Sequence, residues 1–182
     1  VVAMLVALIG GRTTPSFTRN WMAKQAMTPE PASPSRFDIV VLLITAAGIA
    51  SWIMAPASTP AGAFLATGGA LNLVRLARWK GWRTTAQPLV TILHVGYGWL
   101  ATALLLLGAS ILAPAQVAST SGIHALTAGA FGVMTLAVMT RATRGHTGRP
   151  LTADRETQII YGLVNVGAVL RVVAPFSTTG AT

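Results

Sequence analysis

Three histidines are the residues of this chain best suited to holding a metal: His94, His124 and His146. Imidazole nitrogen is a common ligand, and it suits iron and copper as well as zinc. The chain has no cysteine. That excludes disulfides, thiolate-held copper or zinc, iron–sulfur clusters and the C-x-x-C-H attachment of a c-type haem. Any metal is therefore held by His, Met, Asp, Glu or backbone oxygen. The six methionines are scattered, and filling irregular gaps suits them better than binding copper. The four acids, Glu30, Asp38, Asp154 and Glu156, fall at or outside the cytoplasmic surface assigned below, so a carboxylate proton relay through the membrane has no support. No nucleophile–base arrangement, P-loop, H-E-x-x-H or dinucleotide fingerprint is present.

The elements that must position these residues are membrane helices. Only 9% of the 182 residues are charged, against about 25% in soluble domains, so the chain is solvated mostly by lipid. A membrane helix needs about 20 largely apolar residues. Five runs approach this: Phe37 to Ala55, Ala61 to Val74, Pro88 to Leu112, Gly122 to Thr140 and Thr157 to Ala174. The opening "VVAMLVALIG" has neither a basic n-region nor a cleavage site, and reads as the end of a membrane helix cut through its middle. The pattern predicts an all-α, polytopic transmembrane helix bundle of about five full spans plus a truncated N-terminal helix. The expectation is one integral membrane domain over residues 1–182, a fragment of a larger protein. The longest loop, Gly10 to Arg36, holds four prolines and the polar stretch "MTPEPASPSR", and reads as flexible.

The basic residues orient the spans. Successive loops hold four, zero, four, zero and four of them, which accounts for twelve of the thirteen. The positive-inside rule places loops 10–36, 75–87 and 141–156 in the cytoplasm, with Trp21, Trp79 and Trp82 beside them as an interfacial aromatic belt. Dispersal of the net +9 charge into short loops argues against nucleic acid as a partner and for membrane lipid.

Polar groups inside a membrane are costly and usually face a partner or a cavity. The candidates are Asn72, His94, Tyr97, His124, Tyr161, Asn165 and Arg171. Asn72 and Asn165 both fall near the middle of the bilayer, where they are expected to hydrogen-bond to each other. His94 shares a helix face with Gly98 and Ala101, which gives the imidazole clearance; it reads either as a satisfied core histidine or as a ligand. His124 lies in the first turn of its span, opposite the arginines, and reads as interfacial or as a ligand. The segment "RGHTGRP" around His146 reads most simply as a basic turn attracted to anionic lipid. Arg171 either snorkels to headgroups or pairs with an anionic group at the level of His124. The many small residues, with Ala125/Gly129 and Ala128/Gly132 at small-xxx-small spacing, read mainly as helix-packing positions.

Four long stretches carry a family resemblance: "GGRTTPSFTRNW" at Gly10 to Trp21, "RLARWKGWRT" at Arg75 to Thr84, "PLVTILHVGYGWL" at Pro88 to Leu100 and "HALTAGAFGVMTLAVMTRATRGHTGRPL" at His124 to Leu151. Together they resemble the NnrS family of bacterial membrane proteins, over about the C-terminal half of a typical member of around twelve spans, which implies that the larger protein has about that many. The resemblance implies a haem- and copper-containing inner-membrane protein that supports nitric-oxide tolerance in denitrification-type metabolism, with nitric oxide or a nitrosyl species as partner. It makes His94, His124 and His146 metal-ligand candidates, for copper or for a non-covalent b-type haem, and Arg171 a candidate for a haem propionate. The family reading leaves the reaction type undefined. The alternative, resting on Asn72 and Asn165, is a solute or ion transporter with a mid-membrane polar site, and a third option is a purely structural membrane subunit.

Overall fold

The computed structural model describes residues 2–28 and 30–178; Val1, Pro29 and Thr179 to Thr182 lie outside the described residues. The described residues form six long helices and a short 3₁₀ turn, with no strand among them. Helix α1 is α-helical over Val2–Leu5, opens into a π-turn over Val6–Gly10 and is α-helical again over Gly11–Lys24. Helix α2 spans Arg36–Met54, α3 Thr59–Arg78, α4 Pro88–Leu112 and α6 Arg155–Thr178. Helix α5 is α-helical over Ser119–His124, π-helical over Ala125–Val133 and α-helical over Met134–His146. The 3₁₀ turn Gly81–Thr84 joins α3 to α4. Among the described residues four helices, α2, α4, α5 and α6, are long and apolar enough to cross a membrane; α3, which holds the expected span Ala61 to Val74, does not reach that measure because Asn72, Arg75 and Arg78 interrupt it.

The expected loop at Gly10 to Arg36 is corrected over its first half, which is helical to Lys24. Its buried residues, Gly11, Thr14, Pro15, Thr18 and Met22, recur at helical spacing. Apart from Met22 this stripe is made of glycine, threonine and proline, so hydropathy alone does not reveal it. Threonine hydroxyls bond back to carbonyls one turn earlier, Thr13 to Ile9 at 2.9 Å and Thr18 to Thr14 at 2.8 Å, which lets these polar residues stay helical.

Helix starts follow the local chemistry. The Ser35 N–H donates to Asp38 Oδ2 at 2.9 Å at the head of α2, Ser58 caps α3, and Pro88 occupies the first turn of α4, where a missing N–H costs nothing. Helices α2, α3, α4 and α5 pack antiparallel in chain order through glycines. Gly68 lies on Thr45 and Gly48 on Leu65 between α2 and α3. A Cβ on Gly69 would stand 2.7 Å from Leu105, and one on Gly108 2.6 Å from the Ala66 backbone. Gly129 lies on Trp99 and Gly122 on Leu107. Of the two small-residue pairs in α5, Ala125 and Gly129 are buried in this interface, while Ala128 and Gly132 are only half-buried. The core runs along α4, through Leu89, Leu93, Tyr97, Leu100, Leu104 and Leu107.

The three basic segments converge on one end of the bundle. Arg83 donates to the Thr28 carbonyl at 2.7 Å, the Ala32 N–H to the Arg78 carbonyl at 3.2 Å, and Gln87 to the Leu151 carbonyl at 3.1 Å. The outer faces of α2 and α6 expose Leu43, Ile53, Leu163 and Leu170, as expected of surfaces that meet lipid.

Candidate functional site

Arg75 belongs to the last turn of α3, not to a loop, and its guanidinium turns into the bundle, leaving the residue 4% exposed. Its Nε donates to Asp38 Oδ1 at 2.8 Å, and its Nη1 donates to the Tyr97 hydroxyl at 2.8 Å and to the Ala7 carbonyl at 3.2 Å. The Tyr97 hydroxyl in turn donates to Asn72 Oδ1 at 2.6 Å. Asn72 Nδ2 donates to Thr45 Oγ1 at 2.9 Å and to the Gly68 carbonyl at 2.8 Å. Four helices thus meet in one continuous polar chain from Asp38 to Thr45. The shape of α1 makes room for it: the Arg75 guanidinium lies against Gly11, where a Cβ would stand 2.6 Å from Nη1, next to the π-turn that carries Ala7. Trp79 covers the group, its ring 5.3 Å from the guanidinium carbon and 4.6 Å from the Tyr97 ring.

Several expectations are corrected here. Asp38 is not a surface acid; it is 8% exposed and paired with Arg75. Trp79, at 3% exposure, is core rather than belt, while Trp82 is exposed. Asn72 and Asn165 do not bond to each other. Asn165 Oδ1 accepts from Trp99 Nε1 at 2.8 Å, and its Nδ2 donates to the Tyr161 carbonyl at 2.8 Å.

His94 lies one turn before Tyr97 on α4, with its ring 6.4 Å from Trp79, and is 7% exposed. Its Nε2 is 2.7 Å from Thr18 Oγ1. The single Thr18 hydroxyl proton already goes to the Thr14 carbonyl, so Thr18 accepts from the Nε2–H of His94. In the neutral ring Nδ1 then carries the lone pair. Nδ1 is buried and has no hydrogen-bond partner among the described residues. The clearance comes from Gly81 in the 3₁₀ turn rather than from Gly98. A Cβ on Gly81 would stand 2.5 Å from Nδ1, whereas Gly98 meets Leu76. Beside the ring runs an apolar groove whose lining includes Leu73, Leu76, Trp82, Val95 and Gly98.

The other expected residues lie apart from this cluster. His124 is half-buried at the start of α5, in the last position before the π-helical stretch. Arg171 is exposed on α6. Their neighbours Ala125 and Val172 pack together with Ala103, so the two residues share a level, yet no hydrogen bond joins them. His146 is exposed at the end of α5. No group of three His, Asp or Glu side chains among the described residues is gathered to hold a metal ion. Arg75 and Asp38 are the site residues that sequence reasoning missed. An arginine directly following the apolar run to Val74, and an acid directly inside the run beginning at Phe37, were the available signal.

Antiparallel helices packed through glycine, with lipid-facing outer surfaces and a buried chain of polar side chains, define a polytopic helical membrane protein. Comparison with known families gives the particular group: the family model described as NnrS protein matches residues 1–182, and the chain belongs to the NnrS family. The match takes in the whole chain, wider than the four stretches that first carried the resemblance. No curated protein and no solved structure matches.

Proposed function

We propose that this chain is a haem-binding, multi-pass protein of the bacterial inner membrane that supports nitric-oxide tolerance, in which His94 would hold the haem iron, with the basic loops in the cytoplasm. The observation that carries the proposal is the His94 Nδ1, buried without a partner beneath Gly81 and beside an apolar groove. A porphyrin supplies four ring nitrogens of its own, so one imidazole and an apolar wall are enough for the protein's share. A copper ion bound by side chains alone needs several donors together, and a copper site here would draw on groups beyond the described residues. When bound, the haem iron would supply a site for a diatomic ligand such as nitric oxide. The chain's own part is positional: Thr18 accepts the Nε2–H and so orients the ring, while Trp79 and Gly81 confine it. His124 with Arg171 is a second proposed donor and propionate partner, and His146 a more exposed donor for copper.

The test is the absorption spectrum and metal content of the full-length protein purified from membranes. The wild type shows a Soret band that shifts on adding nitric oxide, and His94→Ala loses it. A wild-type protein with neither a Soret band nor copper would sink the proposal, and an unchanged spectrum in His94→Ala would move the donor to His124. For the transporter alternative, Asn72 and Asn165 are each hydrogen-bonded to side chains of neighbouring helices, and substrate flux in proteoliposomes that is lost in Asn165→Leu would favour it over the metal reading.

A further inference from the structure

A second cavity, of about 880 Å³, opens between α1 and α2 at the basic end of the bundle. Four arginines line it: Arg12 and Arg19 from α1, Arg36 from α2 and Arg75 from α3. Asp38 is the only acid in its lining, and it is already engaged by Arg75 at 2.8 Å, by the Ser35 N–H and by Arg78 at 3.7 Å. Among the described residues Arg12, Arg19 and Arg36 have no carboxylate partner; Arg19 makes only a 3.5 Å contact to the Ala32 carbonyl. Three arginines without a carboxylate partner line one space, Arg12 and Arg36 exposed and Arg19 half-buried; such a lining suits an anion with several oxygens, because the planar fork of a guanidinium matches phosphate oxygens two at a time.

The lining is also graded. Arg19, Ser35 and Arg36 stand at the end of the cavity nearest the basic loops, whereas Leu8 on α1 and Leu42 on α2 lie further along the two antiparallel helices. A ligand filling it would be anionic at one end and apolar at the other. Basic pockets between membrane helices take the headgroups of anionic lipids.

We infer that this cavity binds the phosphate of one anionic phospholipid, with Arg12, Arg19 and Arg36 around the headgroup and an acyl chain following Leu8 and Leu42. The site is independent of the haem reading, since His94 lies elsewhere, on α4 beside α1 and the 3₁₀ turn. Anion binding also complements the Arg75–Asp38 pair, because it offsets the excess of positive charge that faces it.

The experiment uses the full-length protein in a zwitterionic detergent-like background, with phosphatidylglycerol, phosphatidylcholine or inorganic phosphate added in turn. Retained lipid is counted by native mass spectrometry, and the thermal midpoint is followed in parallel. Phosphatidylglycerol is expected to be retained one per chain and to raise the midpoint, whereas phosphatidylcholine and inorganic phosphate are not. Arg12→Gln/Arg36→Gln, two exposed side chains whose removal leaves the packing intact, should weaken retention at least tenfold. Arg149→Gln, on the turn between α5 and α6 and outside the lining of the cavity, should leave it unchanged. Equal retention of the two lipids by the wild type overturns the inference without reliance on any variant. So does undiminished retention in the double variant. Stabilisation by inorganic phosphate alone, with no added effect of lipid, overturns the lipid assignment in favour of a free anion.

Discussion

At the scale of single residues, the decisive feature is that two ionised groups sit inside the bundle rather than at its surface. Removing one partner of a buried pair leaves the other uncompensated, at a cost of about 3–5 kcal/mol. Asp38→Asn is therefore expected to lower the midpoint of thermal unfolding sharply, while Asp154→Asn, on an exposed pair, has a small effect; equal effects would mean the Arg75 pair is hydrated. Tyr97→Phe removes the hydroxyl that joins Arg75 to Asn72 through two hydrogen bonds, and its cost is expected at about 1–3 kcal/mol for the buried Asn72 carbonyl oxygen left unpaired. Gly81→Ala tests the imidazole's surroundings. Its Cβ would stand 2.5 Å from Nδ1 and 2.6 Å from Cγ of His94, so the ring must move. The expected outcome is a shifted or lost Soret band with a bundle that still assembles.

At the scale of elements, glycine sets how closely α3 and α4 approach. A Cβ on Gly108 meets the Ala66 nitrogen at 2.6 Å and the Gly62 carbonyl at 2.7 Å; these are backbone atoms that cannot swing aside. Gly108→Leu is expected to cost more than the about 1–3 kcal/mol of ordinary overpacking. Gly167→Leu, with open space around it, is expected to be neutral in the same stability assay. The turn between α5 and α6 carries a pH dependence. Hydrogen bonds from the Thr157 side chain and its backbone N–H hold the Asp154 carboxyl below its ordinary value, and Arg144 adds to this. A depressed carboxyl contributes stability that is fully present above the unfolded value of 3.8 and is lost as pH falls through the lower folded value. Amide exchange at Thr157 and Gln158, in the first turn of α6, is therefore expected to lose protection only in that acid window. Protection that fades nearer neutral pH would assign the turn's stability to another group.

At the scale of the whole molecule, the basic segments are tied to one another at one end, and the loops 55–58 and 113–118, without charge, occupy the other. A chain without native cysteine makes the orientation directly measurable. Lys24→Cys and Arg149→Cys should be labelled by a membrane-impermeant maleimide only in inside-out vesicles, and Ala57→Cys and Gln116→Cys only in intact spheroplasts. Labelling of Lys24→Cys and Gln116→Cys from the same side would overturn the antiparallel order.

Much of this was legible in the sequence because lipid demands long apolar runs and charges mark their ends. The helical class, the four long apolar helices and the grouping of basic loops follow from those two constraints. The helix from Gly11 to Lys24 was hidden, since its buried stripe is glycine, threonine and proline, whose role depends on what packs against them. The partners of Asn72 and Asn165 were hidden for a related reason: depth in a bilayer fixes a level, but the helix face decides who is met there. Arg75 and Asp38 read as surface charges because each stands at the edge of an apolar run. Only the tertiary structure brings them together across 37 residues of chain and sets both against Tyr97. His94 could be named from its type alone, yet the free nitrogen on its ring is decided by a threonine 76 positions away and by a glycine in a turn, contacts that no local pattern encodes.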